Sequence, residues 1–112
     1  MANDSSATAE DERCRLGVLV MQLSLVCWRE ATNGDRRTLA FKSRLWNVYE
    51  DAGGYVRTQT LDRYLCESSF PSRPRWNRIY ATARYVLSTC ALPSALRDEL
   101  QQAMNRLGRD VS

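Results

Sequence analysis

Apolar residues recur along most of this chain at the three- and four-residue spacing of helices, and no segment alternates apolar and polar positions as a half-buried strand does. The pattern is densest between residues 16 and 28. On a helical projection, Leu16, Leu19, Val20, Leu23, Val26 and Cys27 fall on one side, while Val18, Met21, Leu25 and Trp28 fall on nearly the opposite one. Gln22 and Arg29 lie in one seam between the two faces, and Gly17 and Ser24 lie in the other. This first helix is predicted over residues 9–31, with Thr8 as its cap and the Asn33-Gly34 turn as its stop.

A second helix is predicted over 36–52, capped by Asp35 or Thr38 and ended by Gly53-Gly54. Phe41, Leu45, Val48, Tyr49 and Ala52 form its inner face. A third, over 58–67, takes Thr58 as its cap and turns Leu61, Tyr64 and Leu65 inward. Residues 68–74 read as a loop. Pro74 begins a fourth helix with Trp76, Ile79, Tyr80, Ala83, Val86, Leu87 and Cys90 on one side. Pro93 opens a fifth, with Leu96, Leu100, Ala103, Met104 and Leu107 in register and Gly108 as its stop. The fold expected is all-α, a single compact domain of five helices without a sheet. It occupies residues 9–112 behind a disordered, polar and acidic leader at 1–8.

The two apolar faces of the first helix admit two readings. In one, this helix is the centre of the domain, wrapped by the second, fourth and fifth. In the other, one face builds the core and the second joins another chain, because exposing Val18, Met21, Leu25 and Trp28 together would leave a patch larger than monomers tolerate. The second reading implies a homodimer or a partner protein, with Trp28, Met21 and Leu25 as buried anchors, Val18 beside them and Arg29 at the rim.

Residues 43–67 have a different interest. Helix, glycine turn, helix is the layout of a helix-turn-helix unit, and Arg57, Thr58, Gln59, Thr60 and Arg63 are side chains able to pair with base edges. The stretch Thr60-Leu61-Asp62-Arg63-Tyr64 resembles the T-L-R-Y-Y signature of MerR-type regulators, departing from it at Asp62 and lacking a recognisable strand pair for a wing. Arg73, Arg75 and Arg78 around Trp76 mix arginine with an aromatic, as single-strand binders do; read as structure, they are solvated arginines at a helix start beside a core tryptophan. Trp46 and Trp76 are assigned to the core.

Charge refines these readings. The net charge is +3, but residues 1–12 carry Asp4, Glu10, Asp11 and Glu12 and no base, whereas residues 36–88 carry ten bases against four acids. All the bases except Lys42 are arginines. The chain contains no histidine and no P-loop, and its four cysteines lack C-x-x-C spacing, so the expectation is a non-enzymatic protein without metal or cofactor. The acidic start does not resemble a signal peptide, and the apolar run from Leu16 to Trp28 is too short to span a bilayer. A cytoplasmic protein with reduced, mostly buried thiols is expected; Cys66, between Arg63 and Glu67, is the one candidate for a nucleophile and reads instead as a half-buried structural thiol.

In size, arginine content, helical pattern and two-faced first helix, the chain resembles the QslA-type antiactivators, small helical proteins of pseudomonads that bind LuxR-type quorum-sensing regulators. That resemblance implies a cytoplasmic homodimer that holds a transcription factor inactive. The alternative is a helix-turn-helix DNA-binding regulator whose recognition helix lies within residues 57–67.

Overall fold

The computed structural model describes the backbone of residues 2–111 and the side chains of residues 10–108. Its elements are α1 (Ala2–Thr32), α2 (Arg36–Ser43), β1 (Tyr49–Glu50), β2 (Val56–Arg57), α3 (Gln59–Arg63), a 3-10 turn over Glu67–Ser69, α4 (Trp76–Thr89) and α5 (Ser94–Val111). Among the described residues this is an all-α domain of five helices with one small hairpin. The backbone of α1 begins at Ala2, ahead of the start predicted at residue 9, so Thr8 falls within the helix rather than capping it; the side chains of the leader at 1–8 lie outside the described residues.

Helix α1 is the axis of the domain. It packs along α5 and α4, with α2 and the 3-10 turn against its flanks. This arrangement decides between the two readings of its apolar faces. Leu16, Val20 and Cys27 are buried, and so are Val18, Met21 and Trp28 on the opposite side. Trp28 lies against Tyr85 of α4, with ring centroids 5.9 Å apart, and its indole Nε1 donates to Thr38 Oγ1 of α2 at 2.9 Å. Val18, Met21 and Trp28 are therefore core rather than a partner surface. Leu25 is half-buried against that core, and Arg29 is exposed. The apolar patch that motivated a second chain is consumed by the protein's own helices.

The helix stops follow local chemistry. Asn33 ends α1 in a left-handed conformation (φ 57°), which asparagine tolerates, and its N–H donates to Arg29 O. Asp35 caps α2, its Oδ1 accepting from the N–H groups of Arg37 (3.0 Å) and Thr38 (3.2 Å). Pro74 stands two residues ahead of α4 rather than at its first position, and α5 runs through Gly108 to Val111.

The predicted second helix is half its expected length. It ends at Ser43 because Arg44 adopts φ 60°, turning the chain so that Trp46 enters the core. Its indole Nε1 there donates to Thr82 Oγ1 of α4 at 2.9 Å. With the helix broken, Phe41 and Tyr49 point to solvent instead of inward. Residues 49–57 form an antiparallel hairpin, pairing Tyr49 with Arg57 and Glu50 with Val56. Gly53-Gly54 does mark a turn, but it closes this hairpin. Gly54 takes φ 83°, and Asp51 Oδ1 accepts from the N–H groups of Gly53 and Tyr55.

Candidate functional site

The five base-reading candidates are scattered by this geometry. Arg57 lies on β2, not on a helix, and its Nε is 2.7 Å from Asp51 Oδ2, an ion pair that holds the Asp51 carboxyl below its usual range. Thr58 is buried and makes no capping bond; its hydroxyl donates to Asp62 Oδ1 at 2.9 Å. Gln59 Oε1 accepts from the Tyr49 hydroxyl at 3.1 Å, and Thr60 is half-buried. Arg63 is exposed, and no ion pair engages it among the described residues. Asp62 pairs with Arg36 at 3.3 Å. Of the set, Arg63 alone is both exposed and uncommitted, because α3 is barely more than one turn and its neighbours are tied back into the hairpin and α2.

A longer basic surface follows α3 in sequence. From residue 68 to residue 97 the chain holds five arginines (Arg73, Arg75, Arg78, Arg84 and Arg97) and no acid. This run is the signal that helix-turn-helix reasoning centred on residues 57–67 passed over. Arg97 has a structural role, donating to Leu87 O at 2.9 Å near the end of α4, where a positive charge also suits the helix dipole. Arg73, Arg75 and Arg84 are exposed and Arg78 is half-exposed. They sit on the loop before α4 and on α4 itself.

A chain of rings fixes this unit against the core. Trp46, Tyr64, Phe70 and Trp76 follow one another with centroid separations of 4.9, 5.3 and 5.9 Å. They link the segment after α2, the end of α3, the loop and the start of α4. The far end rests on α1 at Gly17, where a Cβ would stand 3.0 Å from Trp76 and 3.1 Å from Phe70. Glycine lets α1 approach the rings that closely. The Tyr64 hydroxyl accepts from Arg75 N at 2.9 Å, joining the end of α3 to the start of α4. Arg63, beside Tyr64 in the chain, and Arg75 are thereby carried on two segments bound to each other.

The cysteines are all free thiols: Cys27 and Cys90 are buried, Cys14 half-buried and Cys66 exposed. Burial pushes the first three up from the usual thiol range, whereas hydrogen bonding with Ser68 draws Cys66 down. Among the described residues no cluster of cysteine, aspartate and glutamate could hold a metal ion, and no helix is long and apolar enough to cross a membrane.

The chain is similar to the DNA-binding domain of the sensor histidine kinase ChiS from Vibrio cholerae, known from a high-resolution crystal structure. The match has a TM-score of 0.88 and 27% sequence identity, covering 94% of this chain and 97% of that one. No protein-family model matches the sequence, and no curated protein does. The likeness is thus to a DNA-binding domain and not to a QslA-type antiactivator, and the apolar face behind that resemblance is core.

Proposed function

We propose that this chain is a DNA-binding domain serving transcription regulation, the helix-turn-helix alternative of the sequence reading. The observation that carries the proposal is the likeness to a DNA-binding domain across nearly the whole of both chains. Surface chemistry supports it. Arg63, Arg73, Arg75 and Arg78 lie on α3, the following loop and the first turn of α4, segments that the Tyr64–Arg75 bond holds together. Arginines so placed neutralise phosphates and set the orientation of a duplex. In this reading the protein is cytoplasmic, takes DNA as its partner, needs no cofactor and performs no catalysis.

Fluorescence anisotropy of labelled duplex DNA, at two salt concentrations, tests the reading. Binding is expected at low salt, weakening with a slope of about −0.9 per neutralised phosphate on a log–log plot. Replacing Arg73 and Arg75 together with glutamine is expected to lower affinity for every sequence and to reduce the slope by about 2. No binding at low salt overturns the proposal.

A further inference from the structure

We propose that α4, and not α3, is the helix that reads DNA sequence, with Asn77, Arg84 and Ser88 meeting base edges and α3 acting as its support. The inference rests on the DNA-binding reading above.

The two helices differ first in reach. Helix α3 has five residues, whereas α4 has fourteen and is about 21 Å long, enough to cross a major groove about 12 Å wide. They differ also in what their polar groups are doing. On α4 the contacts stay within the helix, Asn77 Oδ1 accepting from Arg78 N at 3.0 Å, Ser88 Oγ donating to Tyr85 O at 3.2 Å and Arg84 lying over the Tyr80 ring at 5.9 Å, and none is an ion pair. Around α3, Arg57 is paired to Asp51, Thr58 to Asp62, Asp62 to Arg36, and Gln59 to Tyr49. Asp62 would moreover face phosphate with the wrong charge.

Helix α4 buries Ile79, Thr82, Ala83 and Val86. At helical spacing the opposite side is Asn77, Ala81, Arg84 and Ser88, of which Asn77, Arg84 and Ser88 are exposed. These residue types match the major-groove pattern: asparagine pairs with adenine, arginine with guanine, serine with either, and alanine contacts the thymine methyl. No acid lies within the helix or on either side of it from residue 68 to residue 97. Arg73 and Arg75 stand before its first turn and Arg78 on its flank, where phosphates would border the groove.

The other flank is an open cleft of about 790 Å³ between α4 and α5. Its walls include Tyr80, Arg84, Gln101, Gln102, Asn105 and Arg106, and no acid lines it among the described residues. Arg106 reaches Glu12 at 4.0 Å, Gln101 Nε2 donates to Asn105 Oδ1 at 3.2 Å, and Arg84, lying over the Tyr80 ring at 5.9 Å, places a positive charge where a phosphate strand would pass. The helix is also held rigidly, as a reading element must be. Trp46 bonds to Thr82 within it, Arg97 bonds to its Leu87 carbonyl, and the ring chain seats its first residue on Gly17.

Selection of bound duplexes from a randomised pool tests the assignment, run in parallel on the wild type and on Asn77→Ala, Arg84→Ala and Gln59→Ala. All three side chains are exposed, and thermal melts confirm that the variants fold. The wild type is expected to enrich a defined site. Asn77→Ala and Arg84→Ala are each expected to relax the preference at one or two positions, by about 5- to 150-fold in discrimination, while Gln59→Ala selects the wild-type site. The assignment is overturned if Gln59→Ala changes the selected site while the α4 variants do not. It is equally overturned if the wild type binds all duplexes alike, an outcome under which the DNA-binding reading survives. A wild type that binds no duplex removes both.

Discussion

The indole Nε1 of Trp46 donates to Thr82 Oγ1 at 2.9 Å inside the core, and the Thr82 hydroxyl in turn donates to Arg78 O at 2.7 Å. Two buried polar groups thereby satisfy one another, and the segment that ends α2 is fastened to the middle of α4. Thr82→Val keeps the shape but leaves a buried N–H without a partner, and is expected to cost about 1–3 kcal/mol. Urea unfolding should show a lower midpoint with an unchanged slope. In a double-mutant cycle with Trp46→Phe, the Thr82→Val penalty should shrink, because the orphaned donor is gone.

Trp28 offers a test of where the second face of α1 goes. Being buried between α1, α2 and α4, it should behave as a core residue: Trp28→Ala is expected to destabilise by about 3–5 kcal/mol. Sedimentation should give the same mass for the variant as for the wild type at matched concentration. Near-native stability together with a change in mass would return this face to the status of an interface.

Gly17 is where the ring chain meets α1. A larger residue there has to displace Trp76 and Phe70, both already at the limit of contact with a single added carbon. Gly17→Val is expected to cost about 1–3 kcal/mol through overpacking. Because the rings carry the loop before α4, near-ultraviolet circular dichroism should change and DNA affinity should fall along with stability. A change in stability with both other readouts unaltered would disconnect the rings from the site.

Asp35 links helix capping to pH. The hydrogen bond from Arg37, with help from the Thr38 N–H, holds its carboxyl below the ordinary value of 3.8. Asp51 is lowered likewise, chiefly by Arg57. A group whose pKa is depressed on folding adds stability above its unfolded value and loses that contribution as pH falls through the folded one. The acid limb is therefore expected below about pH 4. Asp35→Ala should cost about 1 kcal/mol at neutral pH. Asp35→Asn, which still caps, should cost less there and flatten the acid limb. Equal losses from the two variants at neutral pH would show that the charge, not the cap, matters.

Much of the architecture was legible from local pattern. The helical periods of α1, α4 and α5, the Asn33-Gly34 stop and the Asp35 cap are properties of neighbouring residues, and neighbours in sequence are visible without a fold. The second helix was misread for an equally physical reason. Phe41, Leu45, Val48, Tyr49 and Ala52 hold helical spacing, yet burying Trp46 against Thr82, thirty-six positions away, required the chain to turn at Arg44. A long-range contact overrode local preference.

The candidate site divides along the same line. Residue types alone pointed to Arg57, Thr58, Gln59, Thr60 and Arg63, but type does not reveal that Asp51, Asp62 and Tyr49 engage three of them. The acid-free run of arginines was present in the sequence; that most of it is exposed and grouped around α4 depends on packing. The sequence by itself determined the helical class, the charge distribution and some helix ends, such as the stop of α1 at Asn33-Gly34 and the start of α2 at Asp35, since each follows from residues within a turn or two. The cover over α1, the hairpin, and the choice of exposed arginines were decided by tertiary structure. Whether Val18, Met21 and Trp28 meet solvent, a partner or the protein's own helices depends on segments distant in the chain, and no local pattern records where those segments come to rest.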